Sequence, residues 1–451
     1  MTAPRCNEDN VFYRSPRKFY PTAVRAEGIY IYDNEGKRYL DGSGGAVVVG
    51  IGHGVKEIAD AMVGQAGRIA FAHGSQFTTQ SAVDLASKLV KLAPAGLARV
   101  YFLSGGSEAI ETAVKLARQY QVERDKPSKY KVISRWTSYH GNTIGALALS
   151  GHTGRRRLYL PLMQHTPHIA PAYCYRCPFG RVPEQCNLEC ALDLEKIILY
   201  EGPDSVSAFI AEPMVGATAG ALVPRDGYFQ KIREICDRYD VLFIADEVMT
   251  GIGRTGKNFG INHWDVVPDM IVVGKGLSSG YTPIYTVIVK DAIHDAIKEG
   301  TGTFIHGHTY SQNPLSCAVA CAVLDYIGEH KLVKQSADRG SYLFKALERL
   351  TRHEFVGDIR GKGLFVGIEF VKDRKTKAPF DPKLKLNGIV ANRAFQNGLI
   401  TYPGGGGADG VNGDHLLLAP PLIIKEEEID SMVSILDETF AETTREMGKV
   451  H

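Results

Sequence analysis

The stretch 241–275, VLFIADEVMTGIGRTGKNFGINHWDVVPDMIVVGK, sets two reactive groups at the ends of two apolar runs. The first run closes on Asp246-Glu247 and the second on Gly274-Lys275-Gly276. In open α/β sheets, ligands sit beyond the carboxyl ends of strands, so neighbouring strands here would deliver a carboxylate and an amine into one crevice. A buried ion pair is the plainer alternative for any Asp and Lys so placed. The glycines on either side of Lys275 favour a ligand, because they let something other than side chains approach the amine.

Two further segments carry compatible chemistry. In residues 99–118, RVYFLSGGSEAIETAVKLAR, an apolar run enters Ser104-Gly105-Gly106-Ser107 and then a helix with Ile110, Ala113, Val114 and Ala117 on one face. Ser107 suits the N-cap, and Glu108 and Glu111 complement the positive helix start. A glycine-rich turn opening a helix offers N–H groups and a positive dipole end to a phosphate, although many such junctions need glycine for packing alone. In WTSYHG, residues 136–141, Tyr139 can lay its ring on a planar ligand, or Tyr139 and His140 can fill the core beside a turn. Together these pieces call for a planar, phosphorylated, electron-accepting ring that forms an imine with a lysine. Pyridoxal 5'-phosphate is that group, with a lysine and a carboxylate at its pyridine nitrogen as protein partners.

At these residues the chain resembles the class III (ω-type) aminotransferases of fold type I, over nearly its whole length. The motifs that carry the resemblance are GIYIYDNEGKRYLDGSGG (28–45), SGGSEAIETAVKLAR (104–118), SYHG (138–141) and AEP (211–213). ADEVMTGIGRTG (245–256), GKG (274–276), HGHTYSQNP (306–314) and APPL (419–422) complete the set. The resemblance implies Lys275 as the Schiff-base lysine and proton carrier, and Asp246 as the group that keeps the ring nitrogen protonated. Tyr139 would stack on one ring face and Val248 on the other, with His140 beside them among the cofactor-binding residues. Gly106 and Ser107 would hold the phosphate. Glu212 would lie near the cofactor edge, positioning Asp246 or gating the substrate pocket. His308 and Thr309 would belong to a segment reaching the phosphate of a second subunit, so the resemblance implies a homodimer. It also implies a mostly parallel seven-stranded sheet flanked by helices, with a smaller α+β domain. The implied activity moves an amino group from an amine or amino acid to a keto acid, pyruvate above all, in two half-reactions. An aminomutase or racemase shares the same lysine and aspartate and is the alternative. A non-catalytic protein on this scaffold is a third reading, against which intact Lys275, Asp246 and Tyr139 speak.

Several features depart from the resemblance. Many relatives place an arginine shortly before the Pro-Pro pair to clamp a substrate carboxylate. No arginine occurs here between Arg393 and Arg445. Either one of Arg155, Arg156 and Arg157 takes the carboxylate or the substrate is anchored differently; a solvated loop is the bland reading of that triplet. Several relatives carry Trp in the segment corresponding to residues 46–49, so Val47 predicts a wider pocket that tolerates bulky amines. The run Gly404–Gly407 reads as a mobile lip or as a plain surface loop. Cys174, Cys177, Cys186 and Cys190, spaced C-x2-C-x8-C-x3-C, suit a structural zinc or reduced thiols. No metal is expected in the active site, and Cys6, Cys236, Cys317 and Cys321 read as scattered thiols.

The elements that must position these groups follow from periodicity. Residues 28–41 read as a hairpin about Asn34-Glu35-Gly36. Helices are expected at 55–70, 79–92, 107–124, 191–200 and 226–239. Between them lie short runs rich in Val, Ile and Phe, at 99–103, 131–135, 208–211, 241–245 and 270–273. Such alternation indicates a buried, largely parallel sheet with helices on both faces. Beyond residue 325, a helix at 331–352, runs at 356–359 and 363–370, and helices at 384–397 and 425–446 suggest a small α+β domain. The expected division is 1–60 as an N-terminal part of the small domain, 61–325 as the large cofactor-binding domain, and 326–451 as the C-terminal small domain.

Composition narrows the partners. Of 451 residues, 44% are hydrophobic and 23% charged, and 52 Lys plus Arg nearly balance 50 Asp plus Glu. That balance argues against a nucleic-acid or membrane-surface partner. No run reaches the ~18 apolar residues of a membrane span. Residues 1–10 lack the apolar core of a secretory signal, so a cytoplasmic protein with reduced thiols is expected.

Overall fold

The computed structural model describes residues 9–447. Cys6 and most of the N-terminal decapeptide read above lie outside the described residues. Strands β1 (Ala23–Glu27), β2 (Tyr30–Asp33) and β3 (Arg38–Asp41) form an antiparallel meander. The expected hairpin is β2–β3, in register at Tyr30 and Leu40. Asp33 Oδ1 accepts from the N–H groups of Glu35 and Lys37, and Gly36 takes φ +82°, which closes the turn.

The central sheet has seven strands: β4 (Leu97–Leu103), β5 (Lys131–Arg135), β6 (His168–Ile169), β7 (Val206–Ala211), β8 (Leu242–Asp246), β9 (Met270–Val273) and β10 (Tyr285–Lys290). Their spatial order is β4-β10-β9-β8-β7-β5-β6. β6, β5, β7, β8 and β9 pair in parallel, and β10 alone runs antiparallel, to both β4 and β9. Every residue of β7, β8 and β9 is buried, which explains their unbroken apolar runs. The helix Tyr228–Arg238 covers the sheet through Tyr228, Phe229, Ile232, Ile235 and Cys236, the spacing of a single helical stripe. Each large apolar side chain sealed this way contributes about 1.5–3 kcal/mol of transfer free energy. The five expected strands and five expected helices of this region all form, with ends displaced by a few residues.

The C-terminal part holds β11 (Val356–Lys362), β12 (Phe365–Phe370), β13 (Leu399–Ile400), β14 (Tyr402–Gly405) and β15 (Asp414–Leu418). Four of them make an antiparallel sheet in the order β11-β12-β15-β14, accompanied by helices Leu332–Leu347, Leu386–Gln396 and Glu426–Met447. β13 instead pairs in parallel with β3, joining the N-terminal hairpin to the C-terminal chain. The glycine run is not a free lip. Gly404 and Gly405 lie in β14, and a Cβ on Gly404 would stand 2.2 Å from the His415 ring.

Arg254 binds these parts together. Its buried guanidinium donates to the carbonyls of Val49, Leu364 and Pro420. No helix among the described residues is long and apolar enough to cross a membrane.

Candidate active site

β4 and β9 flank β10 and are both antiparallel to it, so β4 points the same way as β5, β7, β8 and β9. The carboxyl ends of these five strands therefore open on one edge. Ser104–Ser107, Tyr139-His140, Glu212, Asp246 and Lys275 all follow those ends and meet there.

Asp246 is the last residue of β8 and is 4% exposed. Its Oδ2 lies 2.7 Å from His140 Nδ1, and its Oδ1 accepts from the Val248 N–H at 3.1 Å. His140 is buried, so this pair is shielded from solvent on both sides. Val248 packs partly buried against the apolar layer that includes Leu103, Ala109 and Ile244. Next door, Ala211 pairs with Ala245, which brings Glu212 alongside Asp246. Glu212 does not bond Asp246. Its Oε1 accepts from the Tyr139 N–H at 2.9 Å and its Oε2 from the Gly216 N–H at 3.0 Å. Glu212 thus fixes the main chain that carries the Tyr139 ring. Burial pushes the Glu212 carboxyl up, His140 opposes this, and Asp246 adds to it.

Lys275 follows β9 with φ +48°, an unusual conformation for a residue with a side chain and one that concentrates at functional sites. Gly274 before it has no room for a side chain, because a Cβ would stand 1.9 Å from the Tyr285 ring. Lys275 Nζ donates to the Ala46 carbonyl at 2.9 Å. Burial pushes the amine down to about 8, Asp246 and Glu212 pull it back up, and Arg155 adds to the lowering.

At the opposite end of the site, the helix Gly106–Glu123 begins on Gly105, with no side chain capping it. Ser107 is therefore not the N-cap its type suggested but the second helical residue. Its Oγ donates to Asn142 Oδ1 at 2.8 Å and accepts from the Asn142 N–H at 2.9 Å. Gly141 permits this approach, since a Cβ there would lie 2.6 Å from Ser107 Oγ. The first turn has no side-chain cap, and an uncapped helix start leaves N–H groups that suit an anion. His308 packs against the same turn, with Nε2 3.2 Å from Ser104 Oγ and 3.1 Å from Glu108 Oε2. Thr309 is exposed.

Three site features left little trace in sequence. Asn142 follows the SYHG motif directly and was not singled out. A main-chain carbonyl such as that of Ala46 has no side-chain signature. Arg155, read as more plausibly a solvated loop residue, lies over the Tyr139 ring with its guanidinium carbon 4.3 Å from the ring centroid. Val47 lies one residue from the main chain that meets Lys275. It is 3% exposed within the core at φ +63°, and the carbonyl of its neighbour Ala46 accepts from Lys275 Nζ. Cys174, Cys177, Cys186 and Cys190 are free thiols. Among the described residues no group of three or more His, Cys, Asp or Glu is placed to hold a metal ion, so the zinc alternative gains no support. Burial pushes the Cys190 thiol up to about 12, which keeps it protonated.

The model for Aminotransferase class-III matches residues 12–440. The chain belongs to the class III aminotransferases. This class III aminotransferase is 43% identical to an uncharacterized aminotransferase of Bacillus subtilis, YodT, over 95% of its own length and 97% of the relative's. It is 37% identical to the putrescine–pyruvate aminotransferase of Pseudomonas aeruginosa, over 93% of its length and 91% of that protein. Among solved structures it is similar to an (S)-enantioselective ω-transaminase from Thermomicrobium roseum, with TM-score 0.89 and 36% identity over 95% of this chain and 94% of that one. The ω-transaminase of Pseudomonas jessenii in complex with PMP superposes with TM-score 0.89 and 35% identity, over 95% and 94% of the two chains. The class III aminotransferase thus has the fold type I architecture and the mostly parallel sheet that its motifs implied.

Proposed function

We propose that this enzyme uses pyridoxal 5'-phosphate to move an amino group from an amine or amino acid to a keto acid, pyruvate being the favoured acceptor. The observation that carries the reading is the convergence of Lys275, Asp246, Glu212 and Tyr139 at one sheet edge, facing an uncapped helix start. These residues suit the cofactor: an amine for its aldehyde, a buried carboxylate for its pyridine nitrogen, an aromatic face for its ring and open N–H groups for its phosphate. When bound, the cofactor supplies the aldehyde that takes the amino group and the ring that spreads the charge left when the neighbouring C–H bond breaks.

The remaining work falls to the chain. Asp246, oriented by His140, would hold a proton at the ring nitrogen, a preorganised electrostatic arrangement. Lys275 Nζ would carry the cofactor at rest and afterwards shuttle the proton. A shuttle needs a neutral amine, and a lysine pushed down to about 8 reaches that form far more readily than an ordinary one. Tyr139, held by Glu212, would fix the ring plane, and Val248 would close its other face. Gly106 and Ser107 would seat the phosphate. In this reading the enzyme is a cytoplasmic homodimer in which His308 and Thr309 approach the phosphate of the partner, and its N-terminal hairpin and residues 326–451 form one small domain.

The test is spectroscopic. An amine donor added to the cofactor-loaded protein should convert the bound cofactor to its amine form, and pyruvate should restore it. A donor that is rearranged without any separate acceptor would replace this reading with an isomerase.

A further inference from the structure

We propose that Tyr285 is a further cofactor-holding residue, its hydroxyl donating a hydrogen bond to the phosphate of pyridoxal 5'-phosphate. The inference rests on the cofactor reading above and adds a side chain to the phosphate end of that site. β10 is antiparallel to both β4 and β9, so its first residue, Tyr285, stands beside the carboxyl ends of those two strands. Tyr285 pairs with Leu103, directly before the Ser104–Ser107 turn, and Thr286 pairs with Val273, two residues before Lys275. Side chains alternate along a strand. Tyr285, Val287 and Val289 accordingly share the apolar layer that holds Ala109, Ile110 and Ala113 of the helix Gly106–Glu123. Tyr285 is the last of the three toward the site edge.

The ring lies against two glycines that belong to opposite ends of the site. A Cβ on Gly274, next to Lys275, would stand 1.9 Å from Tyr285 Cδ1, and one on Gly106 would stand 3.1 Å from Cε1. One aromatic side chain therefore fills the space that both glycines leave and separates the amine-bearing strand end from the helix start. The direction of the ring follows from the same contacts. Cγ, at its root, is among the atoms closest to Gly274, whereas Cζ, which carries the hydroxyl, lies 3.6 Å from the Gly106 position. The polar end of Tyr285 is thus turned toward the helix start. Tyr285 is half-buried, and its hydroxyl has no hydrogen-bond partner among the described residues. Burial pushes its pKa up, and Asp246 and Tyr139 add to the rise, so the phenol keeps its proton. A protonated phenol beside an uncapped helix start suits a phosphate oxygen, since a hydrogen bond to an ionised acceptor is about twice as strong as a neutral one.

The experiment compares pyridoxal 5'-phosphate with pyridoxal, which carries the same ring and aldehyde but no phosphate. Each is titrated into cofactor-free wild type and Tyr285→Phe, and binding is followed by absorbance. Tyr285→Phe keeps the ring between the two glycines and removes only the hydroxyl. Its Kd for pyridoxal phosphate should rise about tenfold to a hundredfold, the effect of losing a hydrogen bond to a charged group, while its Kd for pyridoxal stays that of wild type. Inorganic phosphate, titrated calorimetrically, should bind Tyr285→Phe about tenfold more weakly or worse. Unchanged affinity for pyridoxal phosphate overturns the proposal. An equal loss for both compounds also overturns it, because the hydroxyl would then serve the pyridine ring or the fold. Wild-type protein that binds neither compound contradicts the cofactor reading instead, and the inorganic phosphate titration then decides whether Tyr285 holds an anion. If Tyr285→Phe does not fold, Tyr285→Met, which also lacks the hydroxyl, decides by the ratio of the same two dissociation constants.

Discussion

His140 Nδ1 and Asp246 Oδ2 stand 2.7 Å apart, with side chains only 0% and 5% exposed. A carboxylate left alone at that depth would be costly, and the imidazole both satisfies it and sets its rotamer. Replacing His140 by Phe removes the partner while keeping a ring in place. Affinity for pyridoxal phosphate should fall about tenfold to a hundredfold, the usual effect of losing such a support. Spectroscopic titration of the cofactor-free protein measures it, and unaltered affinity would show that Asp246 needs no orienting partner.

Lys275 offers a pH signature. Its amine is pushed from 10.5 down to about 8, so the neutral form that the proposed function requires for capturing the cofactor appears as pH rises through that value. The rate of cofactor capture by cofactor-free protein should climb with pH and reach half its plateau near pH 8. A midpoint near the ordinary lysine value would contradict the burial seen here. Between these two values the unfolded chain binds more protons at this position than the folded chain, so this group makes stability rise with pH.

Glu247 behaves in the opposite sense. It is fully buried, accepts from Thr250 Oγ1 and from the N–H groups of Gly260 and Ile261, and burial pushes it from 4.5 up to about 7. In that interval the folded chain holds the proton better, so its contribution is fully present below 4.5 and is lost as pH rises through 7. Glu247→Gln cannot accept all three hydrogen bonds and should cost about 1–3 kcal/mol. The deficit relative to wild type should be larger at pH 5 than at pH 8. Melting temperatures of both proteins across that range test it, and a deficit that does not vary with pH would refute the assignment.

Arg254 is a further buried charge with a clear consequence. Burial pushes it down to about 10, yet it remains a cation at neutral pH and satisfies the carbonyls of Val49, Leu364 and Pro420. Arg254→Met would orphan all three acceptors at the junction of the N-terminal, central and C-terminal parts. A loss of about 3–5 kcal/mol in denaturant unfolding is expected. Arg254→Lys should recover only a fraction, since one ammonium cannot span the same three positions. Full stability in Arg254→Met would show that water replaces the guanidinium.

The placement of Lys275 and Asp246 at neighbouring strand ends was legible because it depends on a local regularity. An apolar run of strand length ends where the residue types change, and in a parallel sheet those ends share an edge. The same regularity located the helix beginning at Gly106 and the run that became β7. β6 escaped because two residues, His168 and Ile169, make no pattern. β10 lies antiparallel between β4 and β9, and an apolar run carries no mark of its direction.

By itself, the order of amino acids determined the element types, the buried character of the sheet and the two groups at neighbouring strand ends, since each depends on short-range periodicity or on the end of a run. Tertiary structure alone decided that Glu212 holds Tyr139 and not Asp246, that Gly105 and not Ser107 opens the helix, and that Arg155 lies over an aromatic ring instead of in solvent. Those outcomes depend on which segments, tens to hundreds of residues apart, pack side by side. Such pairings are set by the joint burial of the whole core, which no local window of sequence encodes.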